Sequence, residues 1–155
     1  MLLHDNGKTY TQASGVILFD SDGHILVQFR SGKKHGFIPG GQKEGMESPR
    51  QAALREIREE MGLTLTHLDL VLIDHRTAKR KTFEVIHYLF YGGILSKEQI
   101  KNIAVDGGEV NSISFMTPEN ALHTLDPPSK RRVRLALNLI AKHSFSNYYE
   151  NQITV

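Results

Sequence analysis

Three glutamates within five positions, Glu56, Glu59 and Glu60, are the feature that most constrains this chain. Around them Ala53, Leu54, Ile57 and Met61 recur at spacings of three and four, the period of a helix with one apolar side, and Gly62 supplies a C-terminal stop. At about 100° per residue the glutamates share roughly one 100° sector, and the apolar residues occupy another. Neighbouring carboxylates repel, so such a face needs either full solvation or a compensating cation. Hard oxygen donors suit Mg²⁺, with Mn²⁺ as a possible substitute, and either ion can bind substrate phosphates in turn. Arg55 stands four positions before Glu59 and can pair with it along the helix. An ordinary charged helix face fits the same residues, because Glu and Arg are good helix formers.

The segment before the helix narrows the choice. Gly36-Phe37-Ile38-Pro39-Gly40-Gly41 can bring backbone carbonyls and amides close to a metal or a phosphate, since glycine admits close approach and unusual dihedrals. It lacks the lysine and serine/threonine ending of a phosphate-binding P-loop. Residues 31–45 are too rich in glycine to form helix or strand easily.

Loop and helix together resemble the signature of the Nudix hydrolases. Gly41 is followed after five residues by Glu47, then after seven by Arg55-Glu56, aliphatic Ile57, one residue, Glu59-Glu60, one residue, Gly62 and aliphatic Leu63. Every constrained position is filled. The resemblance implies an α/β fold, an α/β/α sandwich with a mixed β-sheet, acting on compounds in which a nucleoside diphosphate is linked to another group. It further implies that Glu56, Glu59 and Glu60 bind the divalent metal, with the Gly40 carbonyl a further ligand. Gly41 and Gly62 would shape the loops, Glu47 and Arg55 would brace the site, and Arg30 would meet a substrate phosphate.

In the chemistry this implies, metal ions screen the diphosphate charge and acidify a water whose attack on phosphorus a carboxylate assists. Glu56 is the first choice for that base and Glu109 the second. Glu109 follows Asp106-Gly107-Gly108 and precedes an apolar strand with Ile113 and Phe115, a position that resembles the glutamate many Nudix proteins place opposite the signature helix. An ordinary charge at a loop edge is the competing reading.

Elsewhere the chain alternates strand and helix patterns. Residues 14–19 and 25–29 flank the turn-rich Asp20-Ser21-Asp22-Gly23 and predict a hairpin, which makes a mixed sheet the expectation. Further strands are expected over residues 65–74, 82–91 and 109–116. Thr117 is a candidate N-cap ahead of Pro118, without a capping-box glutamate, for a short helix to residue 125. A long helix is expected over residues 129–142, with Lys130, Arg131, Arg132 and Arg134 as solvated charge. The tail beyond Ser144 reads as weakly ordered. With neither repeat nor long linker, 155 residues predict one domain.

Composition excludes some chemistry. Zero cysteines remove thiolate nucleophiles and cysteine-ligated metal centres. Residues 1–10 lack the apolar core of a signal peptide, and no run is long enough to cross a bilayer, so a cytoplasmic protein without membrane association is the expectation. A formal charge of +2 is weak for a nucleic-acid binder, although Arg76, Lys79, Arg80 and Lys81, with Lys130-Arg131-Arg132, keep an RNA-binding module or RNA 5′-end pyrophosphohydrolase in view. A catalytically idle Nudix domain that binds nucleotides or proteins is the other alternative.

The partner expected is a nucleotide-like small molecule. Phe37 and Phe83 are candidate base platforms, although such a residue is more often one of core or loop packing. His35, His75 and His87 show no metal-ligand arrangement. Arg76, Arg80 and Lys81 are candidate phosphate contacts on a loop between two strands. Residues 78–81 carry neither the proline of some ADP-ribose hydrolases nor the tyrosine of some dinucleoside-polyphosphate hydrolases. Oligomeric state is left open.

Overall fold

Successive side chains of a strand point to opposite faces, and one segment shows how this builds the molecule. Val16 and Leu18 join a buried cluster with Ala53, Ile57 and Met61, while the intervening Ile17 joins another with Val133 and Ala136. A sheet apolar on both faces must be covered on both, here by the signature helix on one side and the C-terminal helix on the other.

The computed structural model describes residues 2–5, 8–77 and 83–150. The elements are β1 (Leu2–Asp5), β2 (Lys8–Phe19), β3 (Ile25–Arg30), β4 (Gly36–Phe37), β5 (Gly40–Gln42), α1 (Pro49–Met61), β6 (Asp69–Arg76), β7 (Phe83–Ile94), α2 (Lys97–Lys101), β8 (Val110–Met116), α3 (Pro118–Thr124) and α4 (Pro127–Ala141). The main path of the sheet runs β4-β3-β2-β7-β6, with β1 and β5 also on β2, and β8 on β3. It is mixed, as expected: β2 and β7 are parallel, and the other pairs are antiparallel. No helix among the described residues is long and apolar enough to cross a membrane.

The predicted hairpin is splayed. β2 and β3 share one Cα register pair, Phe19↔Ile25, after which β3 pairs with β8 from Ile25↔Met116 to Arg30↔Val110. Beside Gly15 the place next to β2 is taken by β5, through Gly15↔Gly40 and Ser14↔Gly41. The glycine-rich segment therefore holds two short strands that its composition argued against. Pairing with distant strands supplies the order that local propensity lacks. Gly40 has φ +142°, and a Cβ there would strike the carbonyl oxygen of Ser14.

Local chemistry fixes α1. The Ser48 hydroxyl accepts from the Gln51 N–H at 3.1 Å, and the Gln51 side-chain Oε1 accepts from the Ser48 N–H at 2.8 Å, a reciprocal cap. At the other end Gly62 adopts φ 69° and donates its N–H to the Arg58 carbonyl.

Other boundaries differ from expectation. β6 begins at Asp69, so residues 65–68 lie outside the strand, and α4 begins at Pro127, ahead of the expected start at residue 129. α2 was not foreseen. The tail is tied down in part: Ser146 donates its N–H to the Leu70 carbonyl, and the Tyr148 hydroxyl accepts from the Arg50 N–H.

Candidate active site

The acidic signature is organised by two guanidinium groups. Arg55 donates from Nη1 to Glu56 at 3.0 Å and Glu59 at 2.9 Å, the latter the pairing expected from their spacing. Its Nη2 reaches Glu47 at 2.8 Å and the Gln42 carbonyl at 3.0 Å, and its Nε donates to Glu47 at 3.0 Å. A planar fork with five donors can serve three carboxylates and a carbonyl at once, which an ammonium cannot. Hydrogen bonding from Arg55 holds the Glu47 carboxyl below its ordinary range. The bonds to Glu47, and then those to Glu56 and Glu59, hold the Arg55 guanidinium more firmly protonated than usual.

Glu60 faces the other way, into the molecule, and is only 4% exposed. One oxygen accepts from Gln28 Nε2 at 3.1 Å and Arg30 Nη2 at 3.2 Å, and the second accepts from the Gly40 N–H at 3.1 Å. Burial pushes its carboxyl up to about 7 in spite of these donors. Burial also raises the Glu56 carboxyl, partly opposed by the Arg55 hydrogen bond. Glu59, by contrast, is largely exposed. Helical spacing placed the three glutamates in one sector, but depth separates them.

Arg30 is the second centre. Its Nη1 contacts Glu109 Oε1 at 2.8 Å, and its Nη2 contacts Glu60 Oε1 at 3.2 Å and the Gly40 carbonyl at 3.1 Å. Residues from β3, β5, α1 and the approach to β8 thus meet at one positive group. Phe37 lies beneath it, with the guanidinium carbon 5.2 Å from the ring centroid. One ring face is therefore already occupied.

The donor chemistry fits a divalent ion. Glu56, Glu59, Glu60, Glu109 and the Gly40 carbonyl are all oxygen ligands of the hard type, and two of the carboxyls sit where burial disfavours charge without a cation. Gly41 keeps the approach clear, because a Cβ there would collide with the Glu56 carboxylate. Among the described residues, the acidic group with all ligand atoms within 4.8 Å of one another lies elsewhere, at Asp20, Asp22 and His24. The Asp20 side chain there accepts the backbone N–H groups of Asp22 and His24 at 2.9 Å each, which is turn chemistry.

Of the other candidates, Arg76 ends β6 exposed, on the same sheet face as Asp74, and its charge acts on His87 and Arg132. Arg80 and Lys81, like Lys79, lie outside the described residues. Phe83 opens β7 as a partly exposed ring. His75 pairs with Glu84 at 2.7 Å. Arg132 is not solvated charge: its side chain is 11% exposed and pairs with Asp74 at 3.3 Å.

Several residues around the site were not singled out from sequence. Gln28 is fully buried and holds Glu60; its signal was a lone polar residue within ILVQF. The Asp126 side chain caps α4 by accepting from the Ser129 N–H. His87, weighed from sequence only as a metal ligand, is brought beside Gly15 by strand pairing, which no local pattern announces.

Comparison with known proteins identifies the family and the fold. Residues 9–137 match the family described as NUDIX domain, and the chain belongs to that family. A Bacillus subtilis (strain 168) protein named, provisionally, as an 8-oxo-dGTP diphosphatase is 27% identical over 124 residues, covering 80% of this chain and 78% of its own. The 8-oxo-dGTP diphosphatase of Proteus vulgaris is 41% identical over 63 residues, 38% of this chain and 55% of its own. The crystal structure of a MutT protein from Methanosarcina mazei Go1 superposes with a TM-score of 0.67 at 21% identity, covering 88% of this chain and 96% of that one. At that identity the superposition speaks for the fold.

Proposed function

We propose that this chain is a pyrophosphohydrolase that cleaves a phosphoanhydride bond in a nucleoside triphosphate or nucleoside diphosphate derivative, with Mg²⁺ as cofactor. The observation that carries it is the Arg30 guanidinium, which lies 2.8–3.2 Å from Glu109, Glu60 and the Gly40 carbonyl. Three acceptors that belong together around a metal already share one cation.

Glu56, Glu59, Glu60 and the Gly40 carbonyl would hold the ion, with Glu109 on the opposite side. When bound, the ion supplies charge screening at the diphosphate and acidifies water. The residues do the rest. Arg55 fixes Glu56 and Glu59 in one geometry, so little reorganisation is needed when substrate arrives. Glu56 takes the proton from the attacking water, with Glu109 the alternative. Arg30, cushioned on Phe37, exchanges a carboxylate partner for a substrate phosphate, to which its fork can bind through two parallel hydrogen bonds. The names of the two sequence relatives make 8-oxo-dGTP the first substrate to try.

A screen of nucleoside triphosphates, 8-oxo-dGTP, nucleotide sugars, ADP-ribose, dinucleoside polyphosphates and capped or triphosphorylated RNA, each with and without Mg²⁺, tests the proposal. Turnover should need the ion, be restored in part by Mn²⁺, and fall at least about tenfold in a folded Glu60→Gln protein. Nucleotide binding without turnover on any substrate would instead identify an idle Nudix domain. Wild-type turnover by Glu60→Gln at saturating Mg²⁺ would remove the assigned role of that residue.

A further inference from the structure

Side chains of β3 alternate between the two buried clusters, Ile25 and Val27 on the α4 side and Leu26 on the α1 side, so the next position on the α1 side, residue 28, belongs to the core. The strand is paired on both sides there, through Gln28↔Ile113 and Gln28↔Phe37, which favours a β-branched or aromatic residue. The chain has a glutamine instead. Among the described residues it is the only polar member of the largest fully buried side chains. Its Nε2 donates to Glu60 Oε1 at 3.1 Å, and its own Oε1 has no partner. A buried acceptor left unmatched costs stability, so packing does not account for the residue.

What Gln28 does to Glu60 follows from counting acceptor sites. A carboxylate has about four lone-pair sites, shared equally between its oxygens. On Glu60, Oε1 accepts from Gln28 Nε2 and, at 3.2 Å, from Arg30 Nη2, which fills it. Oε2 accepts from the Gly40 N–H at 3.1 Å and keeps one site open. Held in this way, Glu60 can offer an ion one oxygen and not both.

Only one of the two donors on Oε1 is permanent. Arg30 lines the cleft, a cavity of about 170 Å³ whose other wall, at the start of α4, carries Asp126, Ser129 and Arg132 with His87 beside them. From there its guanidinium can turn to a substrate phosphate. Gln28 is fully buried and does not line the cleft. Once Arg30 turns away, the Gln28 amide alone keeps Oε1 engaged.

We propose that Gln28 is a positioning residue that holds Glu60 to coordination through one oxygen, and so makes the site prefer Mg²⁺ and Mn²⁺ over Ca²⁺. Mg²⁺ demands near-octahedral geometry at about 2.0–2.1 Å, which a carboxylate giving one oxygen suits, whereas Ca²⁺ takes about six to eight oxygens at about 2.3–2.6 Å and readily accepts both from one carboxylate. Coordination through one oxygen therefore deprives Ca²⁺ of a ligand and Mg²⁺ of none. This role rests on the reading of Glu60 as an ion ligand in a hydrolase, and its test measures ion binding directly, without turnover.

Gln28→Met nearly preserves volume, removes the donor to Glu60 and removes the unmatched oxygen as well. Val27→Ala is the control, because it loosens the same strand on the face away from Glu60. Electron paramagnetic resonance follows Mn²⁺ bound to the nucleotide-free proteins, with Mg²⁺ and Ca²⁺ titrated in as competitors. Wild type should bind Ca²⁺ no more tightly than Mg²⁺. In folded Gln28→Met the ratio of Kd for Ca²⁺ to Kd for Mg²⁺ should fall by at least about tenfold, with the denaturation midpoint without ions no lower than in wild type. Val27→Ala should lower that midpoint and leave the ratio within about twofold. A ratio within about twofold of wild type in folded Gln28→Met would overturn the proposal, and so would a Val27→Ala ratio shifted as far as that of Gln28→Met. Two results on wild type alone, which need no folded variant, would also overturn it: tighter binding of Ca²⁺ than of Mg²⁺, or no binding of Mn²⁺. Absence of turnover on every substrate, with the ratio still shifted by Gln28→Met, would reject the hydrolase reading and keep the role of Gln28. Mg²⁺-dependent turnover with an unshifted ratio would do the reverse.

Discussion

The two walls of the cleft treat their charged and polar groups differently. On the signature wall, Glu47, Glu56, Glu59, Glu60 and Glu109 are all partnered by Arg55 or Arg30 at 2.8–3.2 Å. On the α4 wall, His87 Nδ1 and Asp126 Oδ1 have no partner. Carboxylates held by fixed guanidinium forks are preorganised and keep their geometry whatever the substrate carries, even though Gln28 Oε1 and Arg30 Nε behind them also lack partners. Such a wall suits chemistry common to many substrates.

The sharpest way to break this comparison is to empty the signature wall of its organiser. Arg55→Ala leaves Glu47, Glu56 and Glu59 mutually repelling, and kcat/KM should fall by about a hundredfold, or roughly 3 kcal/mol of transition-state stabilisation, with KM changing less than kcat. Arg55→Lys should recover little, because one ammonium cannot span three carboxylates and the Gln42 carbonyl. If Arg55→Lys matched wild type, charge alone would suffice and the fork geometry would be irrelevant.

The next effect belongs to the α4 wall and is read as stability. His87 is pushed down to about 3 when folded, from an ordinary value of 6.5. Protonation therefore favours the unfolded chain, and the contribution, fully present above pH 6.5, is lost as pH falls toward 3. One proton gives a slope of at most about 1.4 kcal/mol per pH unit, so wild type should lose up to about 2 kcal/mol between pH 6.5 and 5 relative to His87→Phe. Denaturant titrations of both proteins at several pH values measure this difference. Parallel curves would show that His87 is reached by water and titrates normally.

How much of each wall was legible in the sequence follows from the same contrast. The signature wall is local: helical period, Gly62 at the end and the Arg55–Glu59 spacing all lie within one short segment, and the structure keeps each. The depth of Glu60 was not legible, because it depends on Gln28 and Arg30 from β3. The α4 wall is assembled from residues far apart. Arg132 looked like solvated charge beside Lys130 and Arg131, and only the packing of α4 over Asp74 buries it. Strands β4 and β5 were hidden for a similar reason, since Gly40 is strand only by virtue of lying against Gly15. α2 did carry a local sign, Ser96 followed three positions on by Gln99, and the reciprocal cap they form is present.

Glu109 lies between these extremes. It belongs to the partnered wall through Arg30, yet its side chain is 66% exposed. An exposed ion pair is worth little to stability, so Glu109→Gln should leave the fold unaffected while lowering kcat about tenfold, with a smaller change in KM. Rates unchanged across pH would return Glu109 to an ordinary loop charge and leave Glu56 as the base.

The smallest effect separates two glycines of the same wall. Gly62 holds φ 69° at the end of α1, where an L side chain is strained, but the space around it is open, with the nearest contact for an added Cβ at 3.8 Å. Gly62→Ala should therefore cost about 1 kcal/mol of stability through backbone strain alone, and kcat/KM should stay within about twofold, since the strain falls beyond the last glutamate. Gly41→Ala is the reverse case: its conformation needs no positive φ, but the added Cβ runs into the Glu56 carboxylate. That variant should lose activity out of proportion to any change in melting temperature, because the carboxylate can swing aside only by giving up its bond to Arg55. Measuring melting temperature and kcat/KM for both variants places them on opposite sides of one plot. If Gly62→Ala lost activity as severely as Gly41→Ala at equal stability, the end of α1 would be part of the reacting geometry, and the signature wall would extend further along the helix than its hydrogen bonds indicate.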